Sequence, residues 1–396
     1  MKLSGNGKIL LKVTEDDINE EGSFDIPAGA TTIGAEAFRD CSKLKYLIIP
    51  KGVVSIQMSA FIHCSELQSI VLPPGLTSIE GYAFYGCSGI RNLIIPKGVT
   101  RIPMRTFHEC SGLESIIIPQ GVTTIEFGAF YGCSGLQSII IPEGVTSIGP
   151  SAFNGCSQLQ RITIPKEVSS IGNQSFMECS KLQNITIPEQ VTSINYEAFY
   201  GCRSLQTISI PEGIISIDNS AFKDCPSLHC IVISSQSEAV RKRIMSLLPD
   251  SLKPKVILKD LAEEVFKFRD AELSRLLQIP ESTPLFRFFH MKSRHSSRVP
   301  GENGVEREYK LPDELLQTIN SFSGDNRYYQ KARRRILGLP LPANAQALQD
   351  YKNKVTAIVN ECMSKAKEFT KPVEAFKDKG AMRRAEESGT RVALNR

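Results

Sequence analysis

Residues 130–152 read FYGCSGLQSIIIPEGVTSIGPSA, and residues 153–175 repeat the same pattern as FNGCSQLQRITIPKEVSSIGNQS. The pattern recurs with a constant step of 23 residues, without an insertion, through the first 234 residues. Every step carries Phe (38, 61, 84, 107, 130, 153, 176, 199 and 222), Cys three positions later, and Pro (27, 50, 73, 96, 119, 142, 165, 188 and 211). A fixed period of this length predicts a solenoid in which each repeat forms one coil.

Each coil contains a short strand, seen in Ile139-Ile140-Ile141-Pro142. Alternation along a strand points Ile139 and Ile141 inward and Ile140 outward. Pro142 lacks an N–H and therefore ends the strand. A Pro-x-Gly turn follows, but Glu or Gln replaces the Gly in two coils, so this turn does not require a positive φ. We expect Phe to fill the widest part of the coil. We also expect the stacking of coils to bury the apolar face that a single coil cannot bury.

These columns resemble the BspA-like, or Treponema-type, leucine-rich repeat, whose pattern is I-G-x-x-A-F-x-x-C-x-x-L-x-x-I-x-I-P-x-x-V-x-x. The resemblance covers roughly residues 24–233, where Thr106 and Ser175 replace the Ala and Ile90 replaces the Leu. It implies a right-handed leucine-rich-repeat solenoid of β-rich coils that binds proteins or cell surfaces. It implies no chemistry.

The ends of the array predict the domain organisation, because the open edges of a solenoid need caps. We expect the segment from Ile9 to Glu21 to cover the first coil, a helix from Glu238 to Leu248, and a strand from Pro254 to Leu258 to cover the last. The predicted domains are an N-terminal cap (1–23), a solenoid of nine 23-residue coils (24–234), a C-terminal cap (235–258) and a basic α-helical domain with a flexible tail (259–396).

Charge is unevenly distributed along a chain whose composition, 41% hydrophobic and 22% charged, is that of a globular protein. Residues 1–234 hold 16 Lys and Arg against 21 Asp and Glu, whereas residues 235–396 hold 31 against 21. The net charges are therefore −5 and +10. We expect the net positive charge of residues 235–396 to influence which partners this part of the chain binds.

The N-terminal sequence predicts neither a secretion signal nor a membrane span. Its apolar run Ile9-Leu10-Leu11 stops at Lys12, which is too short for a signal core. No stretch approaches 18 consecutive apolar residues. We therefore expect a chain made in the cytoplasm without Sec-dependent export.

Ten of the eleven cysteines lie in the repeat region, and nine of them form one column. Coils stack about 4.8 Å apart, so distance alone permits disulfides between neighbouring coils. The odd number, the identical site in each coil and the absence of a secretory signal instead favour reduced thiols packed in the core.

Metal binding and catalysis have little support in the repeats. His63-Cys64 and His108-Glu109-Cys110 pair His with Cys, but both His occupy variable slots, and no CxxC or HxxxH spacing occurs. No Gly-rich phosphate loop or Ser-His-Asp-like arrangement is recognisable. We predict no catalytic residue, no cofactor and no metal.

Cys362 is the one thiol outside the repeats. Bacterial leucine-rich-repeat ubiquitin ligases carry a catalytic Cys in a helical domain after their repeats, but their Cys-x-Asp motif is absent here, where the sequence is Cys362-Met-Ser. Cys362 also ends a stripe with helical spacing, which favours core packing. The stripe consists of Leu348, Tyr351, Val355, Ile358 and Cys362.

The outward strand column is the first candidate for protein binding. Five consecutive coils place an aliphatic residue there, and the later coils have Thr163, Thr186, Ser209 and Val232. A continuous exposed apolar stripe suggests an interaction site. Alternatively, β-branched residues stabilise the ladder, or the C-terminal domain folds back over the stripe. The five residues are Ile48, Val71, Ile94, Ile117 and Ile140.

Two slots beside the Phe column are rich in aromatics and Met, which suit adaptable protein contacts. Alternatively, random sequence drift among the coils produces the same variation. One slot holds Tyr85, His108, Tyr131, Met177 and Tyr200, and the other holds Met58, Met104, Phe127 and Tyr196. From these we select Tyr85, Tyr131, Phe127 and Tyr196 as candidate protein-binding residues.

The region after residue 258 loses the period and predicts helices. A basic cluster of Lys331, Arg333, Arg334 and Arg335 is a candidate for binding the phosphates of nucleic acid or anionic lipid. The alternatives are a solvated helix face or pairing with the acidic repeats. The predicted helices are Leu261 to Leu277, Asp313 to Phe322, Arg327 to Leu337 and Ala345 to Phe369, with a basic loop over 291–304.

The leading hypothesis is a protein-interaction scaffold rather than an enzyme. A BspA-like array, no Sec signal and a non-repeat tail together resemble effectors that intracellular bacteria inject into host cells, in which the C-terminal tail, here residues 386–396, often carries the export signal. The partner is then a host protein. The alternatives are an enzyme whose catalytic domain is residues 259–396, and an adaptor that binds nucleic acid or anionic membrane through the basic helices.

Overall fold

The computed structural model describes residues 1–275, 326–342 and 344–375. Contacts divide the chain into two compact units, Met1–Lys259 and Asp260–Arg396. The predicted helix from Asp313 to Phe322, the basic loop over 291–304 and the tail beyond residue 375 lie outside the described residues.

The first unit is the predicted leucine-rich-repeat solenoid. Each coil contributes one strand to each of two ladders. The first ladder holds β4 (Tyr46–Ile48), β6 (Ser69–Val71), β8 (Asn92–Ile94), β10 (Ser115–Ile117), β12 (Ser138–Ile140), β14 (Arg161–Thr163), β16 (Asn184–Thr186), β18 (Thr207–Ile210) and β20 (Cys230–Ile233). The second holds β3 (Thr32–Ile33), β5 (Ser55–Ile56), β7 (Ser78–Ile79), β9 (Arg101–Ile102), β11 (Thr124–Ile125), β13 (Ser147–Ile148), β15 (Ser170–Ile171), β17 (Ser193–Ile194) and β19 (Ser216–Ile217).

All pairing between coils is parallel, and each residue pairs with the one 23 positions away, as Ser115 does with Asn92 in β10 and β8. The constant sequence step is therefore the structural register. Because the step never changes, identical side chains lie above one another from coil to coil. The predicted inward and outward alternation is confirmed, since Ile139 is buried and Ile140 is exposed.

The core is a ladder of aromatic rings beside a ladder of thiols. Consecutive Phe rings from Phe38 to Phe222 stack with centroids 4.9 to 5.7 Å apart and planes within 18°. Each Cys from Cys64 to Cys225 donates its thiol hydrogen to the carbonyl of the Phe in the preceding coil, at 3.0 to 3.2 Å. Cysteine in this column is therefore explained by a hydrogen bond between coils as well as by packing.

Two backbone positions have a positive φ in all coils but the last, where only one of them does, and the sequence pattern does not reveal them. One precedes the Ala and the other precedes the Cys, as at Glu36 (φ 54°) and Asp40 (φ 59°). Non-glycine residues occupy twelve such positions, so glycine does not mark them. The N–H groups there bond to the next coil, as from Asp40 to the carbonyl of Ile62 at 2.9 Å. The glycines of the Pro-x-Gly turn do not have a positive φ, in agreement with the inference that this turn does not require one.

Both ends of the solenoid are covered. At the N-terminus β1 (Lys2–Leu3) and β2 (Ile9–Lys12) form an antiparallel hairpin, and β2 extends the second ladder in the 23-residue register, with Leu10 opposite Ile33. At the other end β21 (Val256–Leu258) pairs with β20, and α1 (Glu238–Leu247) begins at the N-cap Ser237. The predicted strand thus begins two residues later, because Lys253–Lys255 forms a 3-10 turn.

The second unit is helical as predicted, with somewhat different helix bounds. It contains α2 (Lys259–Arg275), α3 (Asn326–Leu337) and α4 (Ala345–Ala375). The last of these runs past the predicted end at Phe369. The stripe from Leu348 to Cys362 is buried, as its helical spacing indicates. No helix in the described ranges is both long and apolar enough to cross a membrane.

Candidate protein-binding surface

The outward column of the first ladder forms an exposed aliphatic stripe. Its five residues are exposed by 73% (Ile48), 53% (Val71), 66% (Ile94), 59% (Ile117) and 80% (Ile140). With a coil spacing of about 4.8 Å, five coils give a stripe about 19 Å long. The predicted residues therefore lie in line on one surface, and whether they bind a partner stays a prediction.

The stripe has a mostly polar border on one side. Two residues before each aliphatic, the strands present Tyr46, Ser69, Asn92, Ser115 and Ser138, and the Ser115 hydroxyl donates to the Asn92 amide oxygen at 2.6 Å. Thr163 and Thr186 continue the column as exposed polar residues. Val232 is buried, which corrects its assignment to the exposed column. The apolar stretch therefore ends at Ile140.

The second predicted strip divides into a protruding slot and a stacked slot. In the protruding slot Met58, Met104, Phe127 and Tyr196 are exposed by 37% to 53%. In the stacked slot the His108 ring lies parallel between two rings, 4.6 Å from that of Tyr85 and 4.4 Å from that of Tyr131. His108 is buried, so it is not part of an exposed strip as the sequence suggested. Stacking covers both faces of its ring.

A carboxylate and a guanidinium lie next to this stack. Burial lowers the pKa of His108, partly offset by the nearby Glu109 carboxylate, whose oxygen lies 3.7 Å from His108 Nε2. The Arg105 guanidinium lies over two rings, 5.7 Å from the centroid of Tyr82 and 5.1 Å from that of Phe127. Cation–π contacts of this kind hold a charged group against an aromatic surface.

The cysteine column is unsuited to reactive chemistry. All eleven cysteines are buried and carry free thiols, as expected from their inward position. Burial raises the pKa of Cys110 to about 12, and also raises the pKa of Cys133 and Cys179. A thiol is nucleophilic only as a thiolate, so these groups are unreactive near neutral pH.

No group of three or more His, Cys, Asp or Glu that would hold a metal ion occurs among the residues that the structure describes. His63 lies with its Nδ1 3.0 Å from Asp40 Oδ1 on the surface, and does not approach the buried Cys64 thiol, which bonds to Phe38. In the His63-Cys64 pair the imidazole is therefore exposed and the thiol lies in the core.

The basic cluster of α3 is partly used within its own unit. Arg335 pairs with Glu361 of α4 at 2.6 Å, which raises the pKa of its guanidinium. Lys331 and Arg334 are exposed, whereas Arg333 is half-buried. Cys362 is 1% exposed, so its thiol is not open to a substrate. Binding of anions by this helix stays a prediction.

Comparison with known families identifies the repeats. The profile described as BspA type leucine-rich repeat region, with six copies, matches residues 21–136 and 123–247, more than half of the chain. The chain belongs to this family. The resemblance inferred from the Phe, Cys and Pro columns is thus confirmed. BspA-type repeats account for the solenoid and leave the helical unit unassigned.

Solved structures of bacterial proteins are similar to part of this chain. A leucine rich cell surface protein from Faecalibacterium prausnitzii is 29% identical, with a TM-score of 0.34 over 56% of this chain and 81% of that one. A leucine-rich repeat protein from Bacteroides ovatus is 27% identical, with a TM-score of 0.44 over 59% of this chain and 65% of that one. Comparison with curated proteins gave no match.

Proposed function

We propose that this BspA-type protein is an interaction scaffold that binds a protein partner through the stripe from Ile48 to Ile140. The observation that carries the proposal is the exposure of five in-register aliphatic side chains on one surface. Leucine-rich-repeat proteins generally act as scaffolds rather than enzymes, which supports the same conclusion.

The energetics favour a partner over a solvated stripe. Complete burial of one aliphatic side chain stabilises a complex by about 1.5–3 kcal/mol before entropic costs are subtracted. The polar side chains along one side of the stripe supply part of the polar rim of an interface whose apolar centre is the stripe. A partner with one extended apolar face, about 19 Å long, matches that shape.

The full chain with Ile94→Asp and Ile117→Asp tests the proposal by affinity capture from host-cell and bacterial lysates. We expect the captured partner to be lost, while circular dichroism and the thermal midpoint stay close to those of the wild type. Thr163→Asp with Thr186→Asp is the matched control, since it adds the same charges to the same column outside the stripe. Retention of the partner by the Ile variant would end the proposal.

We further propose that the chain is a bacterial effector that acts on a host protein inside the host cell. Its support is the resemblance in domain order, with a BspA-type array followed by a non-repeat helical region. A reporter enzyme fused to the N-terminus of the full chain measures transfer into host cells. We expect transfer to require residues 386–396, and transfer that is absent from the full chain would contradict the effector role.

A further inference from the structure

A depression of about 290 Å³ lies in the surface beside the aromatic stack. It is open to solvent and combines a guanidinium, two aromatic rings and polar groups. Its floor and walls come from three consecutive coils, with Arg105, His108, Phe127, Gly128, Tyr131 and Ser151 among the lining residues. This composition differs from the apolar stripe and points to a polar ligand.

Gly128 lines the depression without a side chain. A Cβ at residue 128 would lie 3.3 Å from Arg105 Cγ and 3.7 Å from both His108 Nδ1 and Tyr131 Cβ. The equivalent residues of the neighbouring coils are Arg105 and Ser151, which carry side chains although their φ is positive as well. Positive φ therefore does not by itself explain the glycine here, where a side chain would crowd Arg105 and take up part of the depression.

Arg105 lacks a carboxylate partner among the residues that the structure describes. Its guanidinium lies over the Tyr82 and Phe127 rings, its Nη1 is 3.5 Å from the Tyr82 hydroxyl, and its buried Nε has no hydrogen-bond partner. Arg91 of the preceding coil, by contrast, pairs with Glu114 at 3.1 Å. An unpaired cation held against aromatic rings is prepared to receive an anion.

A second orphaned polar atom borders the same space. His108 is 7% exposed, and its buried Nδ1 has no hydrogen-bond partner. Its Nε2 faces Glu109, so Nε2 is the nitrogen that best carries the proton, which leaves Nδ1 as an acceptor. Burying an acceptor without a partner is costly, and a small shift of the ring on ligand binding would recover that cost.

We propose that this depression binds the carboxylate side chain of a Glu or Asp residue of a polypeptide partner, with Arg105 as its cation. A carboxylate pairs with one guanidinium through two parallel bonds. A backbone N–H of the same peptide is the matching donor for His108 Nδ1. The Phe127 and Tyr131 rings pack against the methylene groups of the ligand.

A monoanion fits this site better than a phosphate. Among the described residues that line the depression, Arg105 is the one Lys or Arg, and Glu109 is the one Asp or Glu. A dianionic phosphate would meet about twice the repulsion from Glu109 that a carboxylate meets, without a second Lys or Arg to offset it. The inference adds a second site to the proposed scaffold and does not depend on the aliphatic stripe.

Ligand-detected saturation-transfer NMR on the full chain tests the inference. The probes are N-acetyl-glutamate α-amide, its glutamine counterpart and phenyl phosphate. We expect the wild type to give a signal several-fold stronger with the glutamate probe than with the other two. Arg105→Gln, which removes the charge, and Gly128→Ser, which fills the depression, should both lose that signal.

The controls separate binding from folding and from the stripe. Arg91→Gln removes a paired cation elsewhere and should keep the signal, as should the Ile94→Asp and Ile117→Asp variant. Ser59 and Ser151 show that Ser adopts a positive φ in the column of Gly128, so Gly128→Ser should fold. If Arg105→Gln is unfolded, Arg105→Lys replaces it, with a weakened signal expected.

Three results would overturn the inference. The first is an equal signal from the glutamate and glutamine probes. The second is an undiminished glutamate signal in either a folded Arg105 variant or Gly128→Ser. The third is stronger binding of phenyl phosphate, which would assign the site to phosphate monoesters.

Discussion

Ile139 and Ile140 are adjacent in β12 and chemically identical, yet one is 5% exposed and the other 80%. Ile139 belongs to a column that every coil fills with an aliphatic residue. Ile140 belongs to a column in which Thr163 and Thr186 serve equally well in the next two coils. The inward residue is thus required for stacking, whereas the outward one is free to serve another purpose.

The same contrast separates the interior from the exterior of the whole solenoid. Phe, Cys and the inward aliphatics lie in continuous ladders, and exchanging any of them disturbs neighbouring coils. The outward slots contact solvent, so their side chains affect stability little. Changes to the interior should therefore alter folding, and changes to the exterior should alter binding alone.

Alkaline pH should produce the largest effect on the interior. A buried thiol such as Cys110 has a pKa raised to about 12, from an ordinary value of 9.0. Because the folded state holds the proton more tightly, this contribution is fully present below pH 9 and is lost as the pH rises from 9 to about 12. Thermal midpoints should stay level up to about pH 9 and then fall steeply.

The thiol ladder makes this loss cumulative, since several buried cysteines titrate in the same direction. Cys133→Ser with Cys156→Ser is the control, because serine does not ionise in this range and should flatten the decline. A thermal midpoint that is unchanged between about pH 9 and 11 would contradict the buried ladder.

Phe130→Ala should have the next largest effect. Phe130 is fully buried and stacks on the rings of Phe107 and Phe153 at 5.5 and 5.4 Å. Loss of a buried aromatic ring costs about 3–5 kcal/mol. Urea denaturation measures the loss, and Ile117→Ala on the exposed face should cost far less. Equal losses from the two variants would erase the distinction between the two faces.

Two glycines should give a smaller but diagnostic difference. Gly86 has a φ of +71°, and a Cβ there would lie 2.9 Å from His63 Cδ2. Gly86→Ala should lower the free energy of unfolding by about 1 kcal/mol, since the left-handed conformation disfavours a side chain. Gly52→Ala is the matched control, because its φ is not positive and its Cβ would lie 3.5 Å from the nearest atom. We expect no loss there.

Much of this architecture could be predicted from the sequence, for a physical reason. A constant period makes the register of every strand pair the same, so the spacing alone assigns Ile140 and Ile94 to the outward face. The backbone at Glu36 and Asp40 could not be predicted, because non-glycine residues adopt positive φ there through bonds between coils. Sequence spacing carries no signal for such bonds.

The site beside the aromatic stack could likewise be predicted only in part from the sequence. The sequence placed Tyr85, His108 and Tyr131 in one slot of three successive coils, beside the slot that holds Phe127. It did not show that His108 is buried between two rings, or that Gly128 leaves a space in front of Arg105. Both depend on side-chain conformations that differ from coil to coil while the backbone repeats.

Ile94→Thr combined with Ile117→Thr tests most directly the claim that the stripe serves binding and not folding. It gives two coils the threonine that two later coils already carry in this column, at Thr163 and Thr186. Unfolding in urea and capture of the partner are measured on the same full-length preparation. We predict a free energy of unfolding within about 1 kcal/mol of the wild type, together with loss of the partner. A large loss of stability with capture unchanged would show instead that the stripe supports the fold.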